Sequence, residues 1–293
     1  MEQLNKSIIN LVKAALEEDV GEGDLTSLAC LEPKLIKARI VAKSEGVLSG
    51  LKPTLLVFEM VDSANVVRPL LKDGDRFKSG DGIIEIDGFD QTIFTAERTA
   101  LNFLAHLSGV ATLTAKFVDR VGGTSCRILD TRKTTPAWRL PEKIAVVHGG
   151  GYNHRFGLYD MILIKDNHIA AAGSVKEAVR KTREYLTTPD FRPQFELKDE
   201  NIEIEVEVTS EQQLTEAIEV GVNRLLLDNQ SIEALQRLVN RARQISPDVK
   251  LEASGNVSLE NVAAIAATGV DYISIGALTH SAPASDFSLR VIQ

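Results

Sequence analysis

Cysteine is nearly missing from this chain: among 293 residues only Cys30 and Cys126 occur. Two thiols are too few for a disulfide framework or a Cys-rich metal centre, and that scarcity predicts a protein of the reducing cytoplasm. Long apolar runs are missing too, and none approaches the ~18 residues of a membrane span. The stretch from Met1 to Leu16 has neither a basic start nor a small-residue cleavage site, so no secretory signal is expected. Positive charge is in deficit: 33 Lys and Arg against 41 Asp and Glu give a net −8, which argues against a nucleic-acid partner. Internal repeats and low-complexity tracts are also absent. What remains is an ordinary globular composition, 44% hydrophobic and 25% charged, which excludes disorder, collagen and coiled coil. A chain of this length can bury a large core, as two domains or as one α/β barrel with an appendage.

The charge is unevenly spread. Residues 98–165 hold ten Lys and Arg against four Asp and Glu, a local +6 that leaves −14 for the rest. A basic centre in an acidic protein focuses an anionic small molecule, unless it is a cationic helix face neutralised elsewhere. Motifs have to decide between the two.

The first hundred residues differ in texture from the rest. A helix is predicted from Gln3 to Glu18, ending in the turn-rich Asp19–Asp24. Short extended runs follow at Ala38–Ala42, Gly46–Ser49, Val66–Pro69 and Ile83–Ile86, with a helix around Val57–Val61. This predicts a small α+β domain with antiparallel pairing. Its Lys72–Asp81 stretch resembles the strand-turn-strand of lipoyl-type carriers but lacks their lysine at a hairpin tip, so the likeness is one of turn chemistry. A long amphipathic helix is expected from Thr95 to about Asp119, with Gly109 as its weak point. Beyond it, strands at Arg127–Thr131, Met161–Lys165, Ile202–Val208, Arg224–Asp228, Val249–Ser254 and Tyr272–Gly276 precede or alternate with helices near 210–219, 231–244 and 258–267. Such alternation reads as βα units, and six strands fall short of a closed barrel, which predicts an open one.

Chemically suggestive residues gather at the C-terminal ends of these strands, where a parallel barrel carries its active site. Arg132 and Lys133 follow the first strand, and Lys165 closes the second. Asp228, Ser254-Gly255 and Gly276 close later ones. In Ile202–Val208, alternation sets Glu203, Glu205 and Glu207 on one face and Ile204, Val206 and Val208 on the other. If the apolar face meets the helices, the acids point inward, where carboxylates need cations. They then pair with barrel Lys and Arg, or one holds Mg²⁺ with Asp228; the alternative is an exposed edge strand with a solvated acidic face. Gly149-Gly150-Gly151 lets backbone approach a ligand, and His154 and Arg155 just beyond form a candidate carboxylate grip. His106, His148 and His280 read as structural, and the His spacing implies no transition metal.

Together, Asp130-Thr131-Arg132-Lys133-Thr134-Thr135-Pro136, Gly149–Arg155 and Leu163-Ile164-Lys165-Asp166-Asn167-His168 resemble the quinolinate phosphoribosyltransferase family. Glu18–Thr26, Glu97–Asn102, Leu227-Asp228-Asn229 and Glu252–Asn256 extend the resemblance nearly end to end. Ala137-Trp138 departs from the Gly-Leu common in the family, while leaving the charged residues intact.

The resemblance implies a small N-terminal α/β sandwich domain over 1–112, an open α/β barrel of six to seven strands over 113–277, and a tail from about 278 to 293 that returns to the first domain. It implies a homodimer in which Arg98 enters the partner's active site. The implied reaction joins quinolinate to phosphoribosyl pyrophosphate, giving nicotinate mononucleotide, pyrophosphate and CO₂ with Mg²⁺. Arg98, Arg132, Lys133, His154, Arg155 and Lys165 form a cationic pocket suited to two carboxylates. Glu207 and Asp228 fit the metal and an oxocarbenium-like sugar, with Glu205 left open as the alternative by geometry alone. Ser254, Gly255 and Gly276 offer hydroxyl and N–H groups to a ribose 5-phosphate. Rivals are a related phosphoribosyltransferase acting on another aromatic acid, a Schiff-base lyase using Lys165, and a non-catalytic binding protein. Arg98, Arg132, His154 and Arg155 speak for a dicarboxylate, Asp166 and His168 beside Lys165 against a desolvated Schiff-base lysine, and the acidic pair against mere binding.

Overall fold

The computed structural model describes residues 2–188 and 202–292. Among them the elements begin α1 (Glu2–Val20), α2 (Leu25–Cys30), β1 (Leu35–Ala42), β2 (Gly46–Val47), α3 (Leu51–Val61), β3 (Val66–Pro69), β4 (Arg76–Phe77), β5 (Gly82–Phe89) and α4 (Asp90–Val121). Next come β6 (Arg127–Leu129), α5 (Arg139–His148), β7 (Ile162–Ile164), α6 (Asp166–Ala172), α7 (Val175–Leu186), β8 (Ile204–Val208), α8 (Glu211–Glu219) and β9 (Arg224–Asp228). Last are α9 (Ile232–Ile245), β10 (Lys250–Ser254), α10 (Val262–Ala267), β11 (Tyr272–Ser274), α11 (Ala277–His280) and β12 (Phe287–Ile292). No helix among the described residues is long and apolar enough to cross a membrane.

Two units result, and neither is continuous. One takes Met1–Lys116, Lys133–Gly151 and Ala277–Gln293; the other takes Phe117–Arg132 and Tyr152–Gly276. The first is built on an antiparallel sheet in the order β12-β1-β5-β3. Alternation in β1 explains its packing: Ala38, Ile40 and Ala42 are buried, and the register sets Ala38 and Ile40 against Ile86 and Ile84 of β5. On the opposite face Arg39 pairs with Glu85 at 2.5 Å. Ile8 and Val12 of α1, Val57 and Phe58 of α3, and Ile93, Phe103 and Leu104 of α4 complete this core. β12 adds a strand by pairing Phe287 with Ala42 and Leu289 with Ile40, and Phe287 meets the Phe77 ring at 5.2 Å. Segment 133–151 belongs here because Trp138, Leu140 and Ile144 pack on the same core.

The second unit is a parallel six-stranded sheet in the order β6-β11-β10-β9-β8-β7. Read cyclically this is chain order with one break, between β6 and β7, so the barrel is open there. Val206, Leu225, Leu227, Leu251 and Ile273 are wholly buried on one face, as are Leu214 of α8 and, nearly so, Leu235 of α9. Each such side chain contributes ~1.5–3 kcal/mol of burial. Serines start the helices: Ser174, Ser210 and Ser231 accept from Glu177 N, Gln213 N and Ala234 N at 3.1–3.2 Å. All six expected strands are present, but β6, β7 and β11 each stop short, before Asp130, Lys165 and Ile275. The clipped residues leave the ladder at the end where chemistry was expected.

Candidate active site

Parallel register builds the site layer by layer. Glu205 lies against Arg224, Glu207 against Leu226, and Leu226 against Glu252; Asp228 lies against Ser254, and Ser254 against Ser274. Register partners face the same side, so these residues share the face opposite the Leu225 and Leu227 side chains. Acids and cations therefore line the inside of the barrel, and both faces of β8 are buried.

The deep layer is a closed cycle of charge. Arg224 Nε and Nη2 donate to Glu205 at 3.2 Å and Glu252 at 2.8 Å, and its Nη1 reaches Glu203 at 2.8 Å. Across the cycle, His154 Nε2 sits 3.1 Å from Glu205 and 3.4 Å from Glu252. Both carboxylates are fully buried and the imidazole is only 7% exposed. Burial alone would discharge the ring, but donation to the Glu205 and Glu252 carboxylates and their charge outweigh it and push the His154 pKa up to about 9. Burial and the neighbouring Glu252 charge raise Glu205, whereas Glu252, despite its burial, is held low by His154 and Arg224. His154 Nδ1 accepts from Arg155 N at 2.7 Å, a contact the doubly protonated ring would have to give up. His154 N in turn donates to the buried Asp130 at 2.9 Å.

His154 is expected in a carboxylate grip with Arg155, and in this structure its Nε2 faces Glu205 and Glu252 and its Nδ1 faces Arg155 N. The other half of the expected grip is the Arg155 guanidinium. That guanidinium is half-buried and donates to Met161 O at 3.2 Å. Burial, then the like charge of Arg132, pull its pKa below the usual range, with Asp160 and Glu205 opposing.

At the rim, Lys165 Nζ lies 3.3 Å from Glu207. Asp228 accepts from Asn229 Nδ2 at 2.7 Å. Next to it Gly255 has φ +93°, and a Cβ there would fall 2.1 Å from Asn229 Oδ1, so only glycine fits against the rim. Ser254 is half-buried at the end of β10, and Gly276 follows β11. Arg98, exposed on α4, and Lys133 belong to the first unit. Gly149 and Gly151 also allow a close approach, but to α4: added Cβ atoms would meet Ala111 O at 2.4 Å and Thr114 Cγ2 at 2.8 Å. The triple glycine thus serves packing where ligand approach was expected. His106, His148 and His280 all bond protein groups: Glu142, Ser49 and Ser281.

Two acidic sets offer themselves to a cation. His154, Glu205 and Glu252 form one group of metal-ligand type among the described residues. It does not suit Mg²⁺, which prefers all-oxygen ligands, and Arg224 and the His154 ring already pair with both carboxylates. Glu207 and Asp228 supply all-oxygen ligands from the adjacent strands β8 and β9, the donor chemistry that Mg²⁺ takes. Sequence reasoning missed Arg224 and Glu252 because nothing in a strand's own pattern reveals which cross-strand partner its charges meet. The inward acidic alternation was the available signal.

The second unit thus brings Arg132, Arg155, Lys165, Glu207 and Asp228 together on one open parallel sheet, in an architecture that carries its chemistry at the C-terminal strand ends. The family model described as quinolinate phosphoribosyl transferase, N-terminal domain, matches residues 24–108, and its C-terminal counterpart matches residues 110–290. The chain belongs to the quinolinate phosphoribosyltransferase family. It is 42% identical over 276 residues to a probable nicotinate-nucleotide pyrophosphorylase [carboxylating] of Bacillus subtilis, covering 94% of this chain and 90% of that one. The corresponding Mycobacterium leprae enzyme is 41% identical, covering 95% of each chain. The solved nicotinate-nucleotide pyrophosphorylase of Francisella tularensis superposes with a TM-score of 0.90 at 38% identity, covering 98% of this chain and 97% of that one.

Proposed function

We infer that this protein is a decarboxylating quinolinate phosphoribosyltransferase of NAD biosynthesis. What supports the site assignment is the charged end of the parallel sheet, where Lys165 Nζ lies 3.3 Å from Glu207 and Asp228 stands beside Ser254 on the neighbouring strands. Arg132, Arg155 and Lys165 offer several cations to an anionic substrate, and quinolinate brings two carboxylates. Arg155 and Arg132 fork those carboxylates, and the buried His154 stands directly before Arg155 in the chain. Lys133 and Lys165 bridge from the carboxylate to the phosphate groups. Ser254, Gly255 and Gly276 receive the ribose 5-phosphate.

As pyrophosphate departs, positive charge grows at the anomeric carbon, and the Glu207 and Asp228 carboxylates favour it. Mg²⁺ bound through these two residues would neutralise charge on the leaving pyrophosphate. The ring nitrogen of quinolinate then forms the glycosidic bond and becomes cationic. It accepts the electron pair released when the adjacent carboxylate leaves as CO₂, and a proton takes the vacated carbon. The working unit we infer is a homodimer in the cytoplasm, each site receiving Arg98 from its neighbour.

Calorimetry with two ligands tests this reading. One charge-assisted carboxylate contact is worth ~1.5–3 kcal/mol, so quinolinate should bind roughly tenfold to a hundredfold more tightly than nicotinate, which has one carboxylate fewer. Equal affinities would contradict a dicarboxylate site.

A further inference from the structure

Downstream of Lys133 the chain makes a strained turn that an aromatic side chain holds in place. Trp138 N donates to Thr135 O at 3.0 Å, Pro136 takes the second position, and Ala137 in the third has φ +66°. These are marks of a type II turn, whose third position calls for glycine because a Cβ crowds the backbone there. Among the described residues only Asn229 and Asn256 share a positive φ without being glycine. Asparagine tolerates that conformation through local hydrogen bonds, and alanine has none to offer.

Support comes from outside the turn. The Trp138 ring stacks on Phe103 at 4.8 Å and meets His106 edge-on at 5.2 Å, both residues of α4. His106 Nε2 donates to Glu142 at 2.8 Å, and the other oxygen of that buried carboxylate accepts from Thr135 N at 3.1 Å. The path therefore closes on itself, from Trp138 through His106 and Glu142 back to Thr135. Arg139 Nε donates to Thr134 Oγ1 at 3.0 Å, and Thr279 Oγ1 donates to Lys133 O at 2.7 Å. All of these groups lie within the first unit.

We propose that Trp138 is a positioning residue: clamped between Phe103 and His106, it holds the left-handed Ala137 turn closed and so presets the backbone of Lys133 for its anionic substrate. The proposal rests on the substrate-binding role given to Lys133 above. Its distinctive consequence is coupling between neighbours. Alanine makes the turn dependent on the clamp, whereas glycine at that position would close the turn unaided.

A kinetic cycle of A137G, W138L and the double variant tests this, with W138F as the conservative control and K133A as the control for Lys133. Misplacing a binding group by about 1 Å can cost about a hundredfold, so a smaller shift in W138L should lower kcat/KM about tenfold, with W138F near wild type. In the A137G background the same W138L change should cost less than about twofold, because contacting residues act non-additively. Rates are read at 25 °C beside melting temperatures, since a purely structural role would shift melting and leave kcat/KM alone. Equal W138L losses in both backgrounds, or a melting shift without a kinetic one, would overturn the clamp. K133A with wild-type kcat/KM would instead remove the role of Lys133, and the proposal with it.

Discussion

Arg155 and His154 are adjacent in sequence but do different work, and each can be tested alone. Arg155 presents its guanidinium beside Arg132, so Arg155→Ala should weaken quinolinate binding by the ~1.5–3 kcal/mol of a charged hydrogen bond, roughly tenfold to a hundredfold. Calorimetry on the folded variant checks this, and unchanged affinity would contradict it. His154 acts through its charge in the buried cycle. Its folded pKa, about 9, lies above the ordinary 6.5, so the stabilisation is complete below pH 6.5 and is lost as pH rises toward 9. The gap in melting temperature between wild type and His154→Gln should therefore shrink between about pH 6 and about pH 9.5; a constant gap would show that the ring's charge contributes nothing. Little of this was legible in sequence. The His154-Arg155 pair was visible, but their roles depend on Glu205, Arg224 and Glu252, which come from three other strands.

At the scale of elements, legibility was far better, and the reason is burial. Strands β9 and β10 read clearly because hydrophobic residues occupy their helix-facing side without interruption, as Leu225, Leu227, Leu251 and Ala253 show. Helix α4 begins at Asp90, ahead of the expected Thr95, because its first turn is set by Asp90, which accepts from Gln91 N at 2.8 Å and from the distant Lys34 N at 3.3 Å. Such long-range capping has no local signature. β12 has a weak pattern of its own, yet it pairs along β1 and buries Phe287 against Phe77. Phe287→Ala should cost ~3–5 kcal/mol, the usual range for a buried phenylalanine, measured by urea unfolding; a loss under ~1 kcal/mol would show that the strand is dispensable. The ends of β8 and β9 carry the other element-level prediction. Glu207→Ala and Asp228→Ala should impair phosphoribosyl pyrophosphate and Mg²⁺ use while quinolinate still binds, and wild-type turnover at limiting Mg²⁺ would refute that division.

On the scale of the whole molecule, the fold class followed from counting βα units, and the open edge between β6 and β7 accounts for the count of six. The discontinuity of the units was only partly legible, because the return of 133–151 depends on where Trp138, Leu140 and Ile144 find apolar partners. Assembly adds a counting rule if Arg98 serves the neighbouring chain. Arg98→Ala and Arg155→Ala homodimers would each lack a complete site, whereas a mixed dimer would keep one. After subunit exchange at equal concentrations about a quarter of wild-type activity should return, since random pairing makes roughly half the dimers mixed. Confirmed exchange with no gain over the parents would place Arg98 in its own chain's site or in none. The reaction itself is tested most directly by supplying quinolinate labelled in the carboxylate beside the ring nitrogen, together with phosphoribosyl pyrophosphate and Mg²⁺. Labelled CO₂, pyrophosphate and nicotinate mononucleotide should appear in equal amounts, and only when both substrates are present; nucleotide formed without CO₂, or nicotinate consumed in place of quinolinate, would contradict the account.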